Sequence, residues 1–267
     1  MSARERMIRI YDRTMVGRNQ KEYYGDSGFY NFGYWERTTS SQREASEALV
    51  DQLVDRIPRK TGRILDVACG VGGSTRHLQH SYPSDMITAI NISERQLAEA
   101  RKRAPDCHFH CMDATRLDFP DAHFDAVICV EAAFHFETRD AFLREAFRVL
   151  KPGGSLVVSD MIFRRFIEPF GPPLQVPREN LVRDIATYQK RLGAAGFEKI
   201  DVQDVTPAVM GGFCRHLARW PAAERRNGRM KLFESLATSV VCRLVAISFG
   251  SAIKFYLLVS AQKPTSA

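Results

Sequence analysis

Ile64-Leu65-Asp66-Val67-Ala68-Cys69-Gly70-Val71-Gly72-Gly73-Ser74 is an apolar run of strand length that passes through a glycine turn into the start of a helical pattern. Such a turn brings backbone N–H groups close to a ligand, because glycine accepts left-handed angles and has no side chain to hold the ligand away. Its spacing excludes two common ligands. A dinucleotide fingerprint beginning at Gly70 needs a third glycine at position 75, which is Thr75, and a phosphate loop needs Gly-Lys-Ser/Thr, which is absent. Asp66 adds a charge: a carboxylate near the turn repels a pyrophosphate and suits a ligand carrying an ammonium group.

Outward from this stretch, Arg63 to Ala68, Met86 to Asn91, Cys107 to Met112, Asp125 to Val130 and Ser155 to Asp160 read as strands bounded by Gly, Pro, Asp or Asn. Helical spacing fills Ser74 to His80, Glu94 to Ala104, Thr138 to Leu150 and Arg178 to Ala194, with Ser93 as an N-cap and Lys151-Pro152-Gly153-Gly154 as a helix stop. This alternation implies an α/β, doubly wound parallel sheet with its ligand site beyond the carboxyl ends of the strands. Two segments lie outside it. Residues 1–60 carry an aromatic stretch from Tyr23 to Trp35 and a helix over Ser41 to Arg56. Residues 207–250 look helical, with Trp220-Pro221 and Asn227-Gly228 as breaks, between a strand over Lys199 to Thr206 and a last strand over Ile253 to Ala261. The expected organisation is one domain over 1–267: an N-terminal lid (1–60), a cofactor-binding core (61–206), a helical cap (207–250) and the last strand (251–267).

With 267 residues, 45% of them hydrophobic, 10% aromatic and 26% charged, the chain can bury a large core. That excludes a disordered, collagen-like or disulfide-scaffold protein. The net charge of +7 raises nucleic acid, an anionic membrane or an acidic protein as partners. The longest apolar run, Val240 to Gly250, is broken by Arg243, and the first residues flank a short apolar piece with charges, so neither a membrane span nor a signal peptide is expected. The six cysteines are scattered through apolar runs, as reduced thiols of a cytoplasmic protein would be. Cys107-His108-Phe109-His110-Cys111 contains metal-ligand types, but a strand would put the cysteines and histidines on opposite faces, so no metal site is expected.

S-adenosylmethionine, a cationic amino acid and sulfonium joined to adenosine without phosphates, meets the demand set by Asp66. From about residue 61 to 206 the chain resembles the class I methyltransferases that use it. The resemblance rests on the loop from Asp66 to Gly72, on Asp113-Ala114, and on Leu150-Lys151-Pro152-Gly153-Gly154 before the fifth strand, in the family's order. It implies a Rossmann-like, seven-stranded, mostly parallel sheet whose last two strands are antiparallel. It also implies that Asp66, Ala68, Gly70 and Gly72 hold the methionine moiety, that Asn91, Ile92 and Gln96 hold the ribose, that Asp113 and Ala114 flank the adenine, and that Glu131 lines the cofactor pocket. One position departs from the pattern: the family's second strand usually ends in Asp or Glu, and this chain has Asn91, whose amide accepts one hydroxyl and donates elsewhere. Asn or Thr there occurs in the branch that methylates small lipids and natural products.

Methyl transfer is an in-line attack on a methyl already activated by a sulfonium, and alignment accounts for about 7 to 11 kcal/mol of such a barrier. A base adds roughly 10²- to 10⁴-fold when the acceptor is a hydroxyl. His135, in Val130-Glu131-Ala132-Ala133-Phe134-His135-Phe136 after the fourth strand, is the candidate base, since imidazole titrates near neutrality. The natural-product and sugar O-methyltransferases that the chain resembles often place His there. Asp160, ending the fifth strand, is expected in the crevice, orienting His135 or binding the acceptor hydroxyl. Tyr30, Tyr34 and Trp35 resemble the lid of the same branch and are expected to touch cofactor and acceptor.

The function expected is therefore O-methylation of a small natural-product-like molecule, as in antibiotic biosynthesis. Carbon methylation of a sterol- or isoprenoid-like molecule is the alternative, and a non-catalytic cofactor binder is a third reading. An NAD-dependent oxidoreductase is disfavoured by Asp66 and Thr75. Nucleic acid is not expected as a partner: base-amino methyltransferases carry Asn or Asp before Pro-Pro after the fourth strand, whereas Pro172-Pro173 lies elsewhere, and Arg164-Arg165 and Arg225 to Lys231 form no aromatic-interleaved stripe. A membrane is not expected either, and an acidic carrier protein stays open for the arginine-rich insertion.

Overall fold

Both faces of every central strand are apolar, and both are covered. The computed structural model describes residues 3–15, 22–164 and 176–265. In it, β1 (Ile64–Val67), β2 (Ile87–Asn91), β3 (His108–Cys111), β4 (Phe124–Val130), β5 (Leu150–Phe163), β6 (Glu198–Asp204) and β7 (Ile253–Gln262) form one sheet in the order β3-β2-β1-β4-β5-β7-β6. Strands β1 to β5 are parallel, and β7 runs antiparallel to both β5 and β6. Period-two alternation sends Ile64, Ile128, Val157 and Leu258 to one core and Leu65, Val127, Leu156 and Leu257 to the other.

The helices that cover the first core are α2 (Gln42–Val54) and α3 (Gly73–Leu78), together with α7 (Gly212–Arg226) and α8 (Leu232–Ala252). The second core is covered by α5 (Arg139–Val149) and α6 (Ile185–Ala194), while α4 (Glu94–Arg103) packs beside β2 and β3 and carries α1 (Ala3–Met15) on its flank. Winding reverses between β1 and β4, so the crevice opens at the carboxyl ends of those two strands.

Three local expectations change. The helix expected over Arg178 to Ala194 begins only at Ile185, where Asp184 caps it by accepting from the Thr187 N–H; Arg178–Asn180 is a separate 3₁₀ turn. In that turn the Asn180 side chain donates to the carbonyls of Phe134 and Phe136. Trp220-Pro221 does not break α7, which runs through Pro221 to Arg226. An interior proline costs about 3 kcal/mol, and the antiparallel packing of α7 on α8, with Ser235 donating to the Pro221 carbonyl, holds the helix together. Finally, Arg243 does not interrupt the apolar run structurally. The 21-residue α8 is long and apolar enough by composition to cross a membrane, but it packs on α7 and runs directly into β7. Pro172-Pro173 and Arg165 lie outside the described residues.

Candidate active site

The crevice has a volume of about 1190 Å³, above the range of roughly 300–1,000 Å³ that serves one small molecule. There is room for two ligands side by side. Of the residues picked out from the sequence, Ala68, Gly70, Asn91, Ile92, Gln96, Asp113, Ala114, Glu131, His135 and Tyr30 line it.

The glycine turn forms one end. Gly70 has φ +57°, a left-handed angle that favours glycine, and a Cβ there would sit in ordinary contact with Met15 and Gln96. Gly72, expected to touch the ligand, lies behind the turn instead. Its φ is +90°, and a Cβ would come within 2.8 Å of Ala100 Cα, so its role is to let α4 approach. Asp66 is likewise buried behind the loop, where one carboxylate oxygen accepts from Ser74 Oγ at 2.8 Å and Thr75 Oγ1 at 2.7 Å. The hydroxyls fix the first turn of α3, while the other oxygen is buried without a hydrogen-bond partner among the described residues. Burial pushes this carboxyl up to about 6, against the two hydroxyls that lower it.

At the end of β2, Asn91 Nδ2 donates to Gln96 Oε1 at 2.9 Å, and Gln96 Nε2 donates to Asp12 Oδ1 at 2.8 Å. Ser93, the N-cap of α4, donates to the same Asp12 oxygen at 2.7 Å. An ionised carboxylate can only accept, so Asp12 fixes which way both amides face. The Asn91 carbonyl is thereby the end left for a ribose hydroxyl. Asp12 comes from α1, and no sequence feature marks it.

The other end is aromatic and is assembled from remote segments. Tyr23 meets Trp220 edge-on at 5.3 Å between centroids, and Phe32 meets Phe213 at 4.8 Å and Phe249 at 5.1 Å. Tyr30 lines the crevice and donates to the Met15 carbonyl. Tyr34 and Trp35 do not line it: the Tyr34 N–H bonds the Ala45 carbonyl in α2, and Trp35 lies against His216 at 4.5 Å and fills the space above Gly212. Their work is to join the lid to α2 and α7. Besides Tyr30, the aromatics of that stretch that reach the crevice are Tyr23, Tyr24, Phe29 and Phe32, all before Tyr34.

Between the two ends lie Glu131 and His135. Glu131 has φ +52°, and its Oε1 accepts from Tyr256 Oη at 2.6 Å and from the Phe32 N–H at 2.8 Å. Burial pushes its carboxyl up to about 8, partly offset by these donors. His135 ends a 3₁₀ turn (Ala133–His135), and its Nε2 lies 2.5 Å from Tyr11 Oη. Burial and nearby Glu131 raise the Tyr11 phenol far above its ordinary value, so it keeps its proton and shares a hydrogen bond with the imidazole.

Asp160 is not in the crevice. It is fully buried, taking Arg139 Nε at 2.7 Å, Tyr188 Oη at 2.8 Å and the Met161 N–H at 2.7 Å. Arg139 in turn donates to the Asn180 carbonyl at 2.5 Å, and Asn180 holds the Phe134 and Phe136 carbonyls on either side of His135. Asp160 therefore reaches His135 only through two intermediaries. Among the described residues no cluster of three His, Cys, Asp or Glu side chains could hold a metal ion.

Comparison with known proteins agrees with this geometry. Residues 65–158 match the model of the methyltransferase domain. The 27-O-demethylrifamycin SV methyltransferase of Amycolatopsis mediterranei is 30% identical over 87% of this chain and 89% of its own. O-methyltransferase cnsE of Penicillium expansum is 34% identical over 67% of this chain and 68% of its own. The chain belongs to the class I S-adenosylmethionine-dependent methyltransferases. Among solved structures, the [4+2]-cyclase SpnF matches with a TM-score of 0.72 and 28% identity, covering 97% of this chain and 96% of that one. The family's cofactor fits the residues present: a left-handed glycine turn at Gly70 in the crevice lining, and the Asn91 and Gln96 amides beside it at the end of β2.

Proposed function

We propose that this methyltransferase moves the methyl group of S-adenosylmethionine to a hydroxyl of a small, largely apolar, natural-product-like molecule, with His135 as general base. The observation that carries the reading is the His135 imidazole in the crevice lining, with its Nε2 2.5 Å from the hydroxyl of Tyr11, so that this nitrogen stands within hydrogen-bond reach of an O–H group there. When bound, S-adenosylmethionine supplies a methyl activated by its sulfonium. Ala68 and Gly70 bear its methionine end, Asn91 and Gln96 its ribose, and Asp113 and Ala114 its adenine. The aromatic end takes the acceptor by area and excludes water. His135 receives the hydroxyl proton as the O–CH₃ bond forms and the S–CH₃ bond breaks, leaving S-adenosylhomocysteine.

The names of the rifamycin and cnsE relatives support oxygen as the acceptor atom. Carbon methylation would call for an anion near the methyl, and burial, which pushes the Glu131 carboxyl up to about 8, works against one there. Labelled S-adenosylmethionine with a panel of hydroxylated polyketides and glycosides tests the proposal. O-methylated product is expected, and His135→Ala should cut turnover by roughly 10²-fold or more while leaving S-adenosylhomocysteine affinity unchanged. Near-wild-type turnover in that variant removes His135 as base. Cofactor binding with no transfer to any of the hydroxylated acceptors would overturn the O-methylation reading.

A further inference from the structure

Eight large apolar side chains stay exposed among the described residues, and seven of them lie on α8. Phe233, Leu236, Val240, Leu244 and Ile247 follow one another at steps of three and four residues, so they form a single stripe. They are 57–84% exposed. The opposite side of the helix, through Ser235, Cys242 and Ala246, is buried against the body. A helix with apolar residues on both sides has a second neighbour to find.

The charge around the stripe indicates which neighbour. Between residues 207 and 252 there are seven Lys or Arg against two Asp or Glu, a surplus of five out of the chain's +7. Glu224 is already paired with Arg229 at 2.6 Å. Arg225, Arg226 and Lys231 are exposed in the α7–α8 hairpin, with Lys231 capping the helix start two residues before Phe233, and exposed Arg243 sits beside Val240 and Leu244. A second copy of this chain fits poorly: two-fold pairing along the stripe would set one Arg243 against another near the middle of a helix about 31 Å long. An apolar layer beneath a sheet of phosphates accepts both features, because arginine stems lie on apolar surface while their heads reach anions.

We infer that the outer face of α8, with the basic hairpin, docks on an anionic lipid surface. This departs from the expectation from sequence, in which no membrane partner is foreseen. The helix is not a span, since it leads into β7; it lies in the plane of the interface. Its inner side, through Cys242, Val245 and Phe249, lines the aromatic end of the crevice. A lipid-dissolved acceptor would thus meet the site from the layer on which the enzyme rests. That last step rests on the proposed acceptor class; the docking does not.

The test reads binding and not turnover, so its failure is distinct from failure of the acceptor reading. The full chain is pelleted with vesicles of phosphatidylcholine, with or without phosphatidylglycerol. Binding to the anionic vesicles, weaker on neutral ones and falling with salt, is expected. The Leu236→Glu/Leu244→Glu and Arg225→Glu/Arg226→Glu variants change exposed positions, so circular dichroism should match wild type while binding drops at least tenfold. Failure of wild type to pellet overturns the proposal, as does equal pelleting of all three proteins. A dimer by light scattering that Leu236→Glu/Leu244→Glu dissociates would overturn it in favour of a second copy.

Discussion

The two ends of the crevice are built by different means. The end proposed for the cofactor is made of backbone and strand ends, with Gly70 and Asn91 at consecutive β–α junctions of one sheet. The end proposed for the acceptor is made of side chains from residues 23–32 and 213–249, brought together only by the finished fold. A backbone turn tolerates few sequences, whereas an aromatic wall can be assembled from many. The first end can therefore be read along the chain, and the second has to be seen in space.

The largest effect is expected where the acceptor end is anchored. Arg139→Met leaves the buried Asp160 carboxylate beside Tyr188 with no cation; breaking such a pair costs about 3–5 kcal/mol. Urea unfolding should show that loss. Replacing both partners, Asp160→Leu with Arg139→Met, should regain most of it, because the cost lies in the unpaired charge. The double variant also sharpens the comparison. With Asp160 part of the scaffold, it should turn over faster than His135→Ala; if Asp160 acted on the acceptor, it would be stable and equally inactive.

The difference between the ends also explains what the sequence can reveal. The alternation of strands and helices and the loop at Gly70 are legible, because each depends on neighbours a few residues away, whereas the antiparallel last pair, which joins strands about 50 residues apart, comes only from the family resemblance. His135 can be placed because it follows β4 directly. Asp160 is misplaced because a carboxylate at a strand end reads the same whether it faces the crevice or an arginine 21 residues earlier. Tyr34 and Trp35 are favoured over Tyr23 and Phe32 by local composition, while the choice is made by Phe213, Trp220 and Phe249 nearly 200 residues on. Tyr11 and Asp12 carry no local signal, since an amphipathic N-terminal helix reads alike wherever it docks.

A smaller effect should follow from Glu131, which lies between the two ends. Its carboxyl titrates near 8 in the folded protein, well above the ordinary Glu value of about 4.3. The folded state thus holds a proton that the unfolded chain releases. Stability contributed by this group is full below about pH 4, falls as pH rises, and is lost above about pH 8. Glu131→Gln keeps an acceptor for Tyr256 and the Phe32 N–H but removes the titration. Melting curves from pH 5 to about 9 should show wild type losing several degrees more than the variant. Parallel curves would mean that Glu131 is charged throughout.

The smallest effect probes whether the cofactor end is as independent of remote segments as its backbone suggests. Asn91→Asp restores the carboxylate that the family usually carries at this strand end, and on local grounds it should tighten cofactor binding. The relay from α1 predicts the opposite. Gln96 is held by Asp12 with its amide nitrogen toward that carboxylate, so its carbonyl would face the carboxylate oxygen introduced at position 91. Affinity for S-adenosylhomocysteine should fall about tenfold, or ~1.4 kcal/mol. Asp12→Asn frees Gln96 to turn over, because an amide can accept as well as donate. The Asp12→Asn/Asn91→Asp pair should then bind more tightly than Asn91→Asp alone, a change of sign that loss of packing at either site would not produce. Additive calorimetric affinities would instead mean that the glycine turn and β2 bind the cofactor without help from the lid, and that the two ends of the crevice are separable after all.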